Sequence, residues 1–207
     1  MVAIADPNDF TPGDHLKVRR WWLGLIPYWH HGVYEGAGTV VDFGSGVWDG
    51  ATRKTLREFQ HQSPSIDIEK HGRATFGTGY LFEADSPDQI VARARFLLDV
   101  SPFPQRYSLI GLNCEHIANW CVVGSYCESH QTRFGFHIKA YLGAAFLIYI
   151  SLKQRRGLQM SKGDVIFAIL SVVLGLMAHG VYNQQINKFY GWAEPAWKQY
   201  RTENGIA

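Results

Sequence analysis

Alternation of apolar and polar residues near the start of the chain indicates β-strands. The sequence Pro-Gly-Asp at 12–14 precedes an alternating run at 15–19, and two further β-type runs at 31–35 and 39–43 flank Gly-Ala-Gly at 36–38. The two glycines of that tripeptide allow the positive φ angles that tight hairpins need. We therefore predict a hairpin here, the clearest one in the sequence.

The length of the hairpin loop decides which side chains share a face. A three-residue loop pairs Glu35 with Thr39 and Gly32 with Asp42, so that His30 and Asp42 lie on the same face of the ribbon. A two-residue loop moves Asp42 to the other face, because side chains alternate along a strand. Alternation also places His31 opposite His30, where we expect a partly exposed ring.

Helix signals follow in three places. Residues 52–60 have a polar, charged composition that is typical of a surface helix. Ser86 is a suitable N-cap, with Pro in the first turn and Gln three residues after the cap, so a helix begins there and ends before Pro102. A third helix begins after Asn113 as its N-cap and ends near Gly124, a suitable C-terminal cap.

Two apolar segments, roughly at 138–152 and 165–182, are separated by a basic hinge. As helices they would be about 22 Å and about 27 Å long, against about 30 Å for the hydrocarbon core of a bilayer. Three arrangements stay open: a short membrane hairpin, interfacial helices, or two buried helices packed on the preceding domain. The aromatic residues at 190–200 are typical of a membrane interface and favour lipid.

Composition narrows the class of protein. With 207 residues the chain can form one catalytic unit with an extension. A net charge of +2 and a charged fraction of 18% provide no extended basic surface, so no nucleic-acid partner is expected. Three cysteines give no disulfide framework and favour a reducing compartment. The leader at 1–11 lacks the apolar run of a secretory signal peptide.

The strongest chemical signal is Asn-Cys-Glu-His at 113–116. A thiol at a helix N-terminus lies close to free amide groups and to the positive end of the helix dipole, which favour the attacking thiolate. The same amides can begin an oxyanion hole. Because a single cysteine is more often a small buried apolar residue, Cys114 needs support from the rest of the sequence.

That support comes from an ordered set of segments between residues 12 and 131. They are Pro-Gly-Asp-His-Leu at 12–16, His-His-Gly-Val-Tyr-Glu-Gly at 30–36, Tyr107, Asn-Cys-Glu-His at 113–116, Asn-Trp-Cys-Val-Val-Gly at 119–124 and Ser-His-Gln at 129–131. In these segments the chain resembles the lecithin:retinol acyltransferase family, which is similar to NlpC-type cysteine peptidases. The resemblance implies an α+β fold of the permuted papain-like type, with a small antiparallel sheet packed on helices and a C-terminal hydrophobic helical extension.

The resemblance also assigns the site residues. Cys114 is the expected nucleophile and His30 its general base. Asp42 stands where the family commonly has a second histidine; a carboxylate there would fix the imidazole tautomer and stabilise the imidazolium, and a solvated acid is the alternative. Tyr28 matches a tyrosine of some relatives whose hydroxyl could donate to the oxyanion, with a core or interfacial role as the alternative. Asn113 is expected to support the start of the helix.

Other chemistry is not indicated by the sequence. Cys114 and the histidines lack the paired spacing of a tetrahedral zinc site, so no metal is expected. Glycines 44 and 46 lack the sequence context of a phosphate-binding loop, so no nucleotide cofactor is expected. Glu115 and His116 turn away from the Cys114 face of the helix and are expected to brace the site.

Taken with the resemblance, the residues suggest a leader at 1–11, a catalytic domain at 12–134 and a hydrophobic tail at 135–207. The expected function is a thiol-dependent phospholipid acyl-hydrolase or acyltransferase that forms an acyl-thioester on Cys114. Its expected partners are an acyl-ester lipid and a membrane, with the catalytic domain on the cytoplasmic side. A cysteine peptidase or amidase of the NlpC type and an inactive, membrane-anchored interaction module are the alternatives.

Overall fold

The computed structural model describes residues 4–22, 24–44, 50–72, 82–102, 112–124, 149, 153 and 161–206. The chain forms two compact units: one comprises residues 1–127 together with 185–207, and the other comprises 128–184. The apolar segment predicted at 138–152 lies outside the described residues except for Tyr149.

The first unit is built on a five-stranded antiparallel sheet with the order β4-β3-β2-β1-β5. The strands are β1 (His15–Trp22), β2 (Ile26–Gly36), β3 (Thr39–Phe43), β4 (Ala51–Thr55) and β5 (Asp67–Ile68). The helices are α1 (Leu56–Gln60), α2 (Pro87–Asp99), α3 (Cys114–Val123) and α4 (Lys162–Glu203). This arrangement confirms the α+β fold predicted from the sequence.

The turn between β2 and β3 has the shorter of the two loop lengths that the sequence left open, together with the pairing expected for the longer one. Gly36 pairs with Thr39, so the loop consists of Ala37 and Gly38. An irregularity in β2 between Tyr34 and Gly36 adds one residue to that strand. Such a bulge shifts the register by one position. Gly32 therefore still pairs with Asp42.

The helix predicted at residues 52–60 is only partly present. Residues 51–55 form β4, which pairs with β3 along its whole length. The helix begins only at Leu56, where Thr55 and Glu58 form a reciprocal capping box. A polar composition suits an exposed strand as well as a helix, and pairing in the sheet decided between them. Lys54 is thereby placed opposite Val40, on an edge strand of the sheet.

The two predicted central helices are confirmed. The Ser86 side chain accepts the amide of Gln89 at the start of α2. Asn113 caps α3, and Gly124 ends it in the left-handed conformation with a φ of 71°. Every residue of α3 from Cys114 to Val122 is buried, so this helix forms part of the core and is covered on all sides.

The C-terminal part of α4 packs within the first unit. Its buried side chains recur with helical spacing: Ile186, Phe189, Tyr190, Ala193 and Trp197. Phe96 of α2 and Trp120 of α3 contact these rings. The sequence had favoured lipid for this aromatic end, but the structure buries Tyr190 and Trp197 in protein. Among the described residues, no helix combines the length and the apolarity that crossing a bilayer requires.

Candidate active site

Cys114 is the first residue of α3, and the capping of that helix fixes its position. Oδ1 of Asn113 accepts the backbone amides of Glu115 and His116 at 3.1 and 3.3 Å. These bonds satisfy two of the amides that a helix start leaves without helical partners. The thiol is buried, with 3% exposure, at the positive end of the helix dipole.

His116 strengthens the same cap. Its Nδ1 donates to Oδ1 of Asn113 at 2.8 Å. Burial lowers the pKa of His116 to about 3, so its ring stays neutral near neutral pH. A buried neutral imidazole bonded to the cap cannot serve as a proton carrier at that pH. The geometry is that of a brace, in agreement with the sequence-based expectation.

His30 joins Cys114 to Asp42. The imidazole, on β2, is 3% exposed and hydrogen-bonds through Nε2 to Oδ1 of Asp42. Its ring also hydrogen-bonds to the Cys114 side chain. Since Nε2 is occupied by Asp42, Nδ1 is the nitrogen that faces the thiol. The structure thus brings the three predicted residues together in the order Cys114, His30, Asp42.

The electrostatics of His30 favour the imidazolium. Burial alone lowers its pKa, but the negative charge of the Cys114 thiolate and the hydrogen bonds with Asp42 and Cys114 raise the pKa to about 9. Opposite charges stabilise each other strongly in a buried, low-dielectric site. The arrangement therefore favours the charged form of the His30 ring beside Cys114 and Asp42.

Lys54 is a member of the site that the sequence reasoning missed. Asp42 is fully buried, and its Oδ2 lies 2.6 Å from Nζ of Lys54 while Oδ1 binds His30. A buried carboxylate needs such a partner, because an uncompensated charge in the interior is costly. Lys54 was missed because β4 was read as helix. A strand at 51–55 would have placed Lys54 on the Asp42 face.

Arg20 and Tyr28 lie opposite each other on β1 and β2, on the face that also carries His30. Burial lowers the pKa of Arg20, and nearby negative charge at Asp42, Tyr28 and Cys114 opposes that shift. Burial raises the pKa of Tyr28, and the charge of Cys114 raises it further. Both side chains therefore lie close enough to Cys114 to interact with its charge. Arg20 was not predicted, because the first strand was expected to end before it.

His31 belongs to a different cluster. As predicted it lies opposite His30, but the expected exposure was wrong: the ring is 2% exposed. Its Nδ1 is 2.9 Å from Nε2 of His15, whose Nδ1 is 2.9 Å from Nε2 of His71. The partners are 16 and 56 residues apart along the chain, which hid the cluster from local patterns. Among the described residues, no group of three or more His, Cys, Asp or Glu side chains is arranged to hold a metal ion.

A comparison with known families agrees with this geometry. The family model for lecithin retinol acyltransferase matches residues 8–127, which is more than half of the chain. The matched segment includes Cys114, His30, Asp42 and Lys54. No curated protein matches the chain.

Proposed function

The chain belongs to the lecithin retinol acyltransferase family, and we propose that it is a phospholipid acyl-hydrolase or acyltransferase that works at a membrane surface. The family is one of thiol-dependent acyl transfer and hydrolysis. The observation that supports the proposal is the buried series Cys114, His30, Asp42 at the capped start of α3. A helix-terminal thiol with a carboxylate-oriented imidazole is a nucleophile with its base in place.

In the first step His30 accepts the thiol proton of Cys114 on Nδ1, and the thiolate attacks the carbonyl carbon of a lipid ester. The carbonyl oxygen becomes an oxyanion. Asn113 already engages the amides of Glu115 and His116, so the donor from this helix is the amide of Cys114 itself. The His30 imidazolium then protonates the departing lipid alcohol, and an acyl-thioester remains on Cys114.

In the second step the neutral imidazole of His30 takes a proton from water or from the hydroxyl or amine of a second molecule. That nucleophile attacks the thioester, and Cys114 leaves as thiolate and recovers the proton from His30. With water the product is a free fatty acid; with another lipid it is an acylated acceptor. Hydrolysis and transfer therefore share one site and differ only in the acceptor.

Asp42 and Lys54 position the base. Asp42 accepts from Nε2–H of His30, which leaves Nδ1 directed at the thiol, and it stabilises the imidazolium that forms. Lys54 holds the other carboxylate oxygen at 2.6 Å and keeps Asp42 charged and oriented. Arg20 and Tyr28 bring a cation and a hydroxyl to the same face, where a lipid phosphate or the oxyanion would be stabilised.

We further propose that the protein is membrane-associated with the catalytic unit on the cytoplasmic side. Confinement to a lipid surface raises the local concentration of an acyl-ester substrate. The thiols of Cys114 and Cys121 are unpaired, which suits a reducing compartment.

The test is product release from phospholipid vesicles. The purified wild type should release fatty acid or acylate an acceptor, and Cys114→Ala should not. Cys121→Ala is the matched control, because Cys121 is also a buried cysteine of α3 but burial raises its pKa far above the usual range. Cleavage of peptide substrates with no lipid product would reject the proposal in favour of a peptidase.

A further inference from the structure

The outer part of the β1–β2 hairpin extends beyond the rest of the sheet. Among the described residues, β5 covers β1 only at Leu16 and Lys17, and β3 covers β2 only from Gly32 onward. Of the residues that the structure describes, 18–22 and 26–30 therefore pair in the sheet only with each other, as a two-stranded ribbon whose inner residues Val18 and His30 are buried. Such ribbons are marginally stable in water unless another surface supports them.

The end of this ribbon exposes large apolar side chains. Leu25 in the turn is 80% exposed, and Trp21 and Trp29 are 56% and 46% exposed. The strand register places Trp21, Pro27 and Trp29 on one face. We call Trp21, Leu25, Pro27 and Trp29 the tip patch. Indole rings at an exposed end suit the boundary between water and hydrocarbon.

Cations accompany these rings. The guanidinium of Arg19 lies 5.2 Å from the Trp21 ring centroid, and the ammonium of Lys17 lies 5.1 Å from that of Trp29. Residues 16–34 contain Lys17, Arg19 and Arg20 but no Asp or Glu. Lys17 is paired with Glu69 at 2.5 Å, whereas Arg19 is exposed. At a lipid surface, a cation in this position reaches the phosphates while the ring beside it lies deeper in the interface.

We propose that the tip patch docks the protein on an anionic lipid surface, with Leu25 and the two indoles at the headgroup boundary and Arg19 on lipid phosphate. The choice of lipid as partner rests on the proposed function. The other face of the same ribbon carries Arg20, Tyr28 and His30. His30 is five residues from Leu25, or about 16 Å along an extended strand. Docking therefore holds His30 near the lipid surface and leaves the catalytic face of the ribbon uncovered.

Quenching of tryptophan fluorescence by brominated phospholipids tests the docking site by site. The full-length Cys114→Ala protein is mixed with vesicles of brominated phosphatidylcholine and phosphatidylserine, so that no lipid is consumed. We expect quenching that is largely lost in Trp21→Phe/Trp29→Phe. The matched control is Trp192→Phe/Trp197→Phe, in the aromatic end of α4, which should retain the quenching. Loss of quenching in the control pair with retention in the hairpin pair would overturn the proposal.

The dependence of binding on the charge of the vesicles provides a second test. On vesicles containing phosphatidylserine, Arg19→Gln should raise the lipid concentration for half-quenching about fivefold. This is the contribution to binding expected from one cation at an anionic surface. The substitution should have little effect on pure phosphatidylcholine. Arg57→Gln, which removes another exposed arginine, on α1, should leave the value unchanged. Equal shifts on both vesicle types, or a shift in Arg57→Gln, would contradict docking through Arg19.

These readings separate docking from catalysis. Docking with no lipid product from the wild type would reject the proposed function alone. Lipid hydrolysis without quenching of the hairpin indoles, on either vesicle type, would reject the docking surface alone. The tip patch would then be a binding surface for a protein partner.

Discussion

His30 and His31 are neighbours in the sequence, yet strand alternation places them in two different networks. His30 lies between a thiol and a carboxylate that is itself paired with Lys54. His31 lies in a series of three imidazoles, bonded to His15, which is bonded to His71. The first network contains opposite charges that stabilise an imidazolium, whereas the hydrogen bonds between His31, His15 and His71 join one imidazole to the next. Burial is nearly equal, so the partners decide which histidine is equipped for proton transfer.

The largest effect should come from replacing one histidine or the other. His30→Gln should lower the rate of lipid hydrolysis about 10²–10⁴-fold, because a general base is lost. His31→Gln should keep most of the activity and lower the free energy of unfolding by about 1–3 kcal/mol, the cost of a broken buried hydrogen bond. Steady-state rates and chemical denaturation of both variants measure this. Equal losses of activity would show that the two networks are not functionally distinct.

A smaller effect is expected for Asp42→Asn. The amide keeps the shape of the carboxylate but removes its charge, so it no longer stabilises the imidazolium and can favour the wrong tautomer. We expect a loss of about 10²-fold in rate and a lower pKa of His30, seen by NMR of labelled histidine. A His30 pKa equal to that of the wild type would mean that Asp42 is a structural acid only.

A still smaller effect is expected for Lys54→Met, on the order of 10-fold in rate, because Lys54 acts on His30 through Asp42. Without the ammonium, the buried Asp42 carboxylate is harder to ionise, so the acidic limb of the pH–rate profile should move to higher pH. Lys54→Arg should restore the limb because it restores the charge. A uniform loss of rate with no shift of the limb would indicate that Lys54 only supports the fold.

The smallest effect concerns stability against pH. The pKa of His30 is raised in the folded protein, so its contribution is complete below the unfolded value of 6.5 and is lost as pH rises through about 9. The wild type should therefore lose stability across that interval, by roughly 1–3 kcal/mol. In Cys114→Ala the thiolate is gone, and the decline should be weaker. Denaturant titrations across the interval measure both curves, and a stability that rises with pH in the wild type would contradict the ion pair.

Local motifs were sufficient to predict the chain's central helix and its cap, whereas the three residues of the series came from the family resemblance. The pairing of Gly32 with Asp42 was expected only for the longer of two possible loops, and it occurs with the shorter loop because a bulge compensates for the missing residue. Lys54 and Arg20 were missed because their positions depend on how far the strands extend. The burial of His31 and of Trp197 depends on partners far along the chain, which no local pattern reveals.

The most direct test of the catalytic series is the mass of the intact protein after incubation with phospholipid vesicles. The account predicts an added acyl group on Cys114 that hydroxylamine removes, absent in Cys114→Ala, retained in Cys121→Ala and in His31→Gln, and strongly reduced in His30→Gln. A wild-type protein that releases fatty acid while Cys114→Ala is equally active, with no thiol adduct in either, would contradict it.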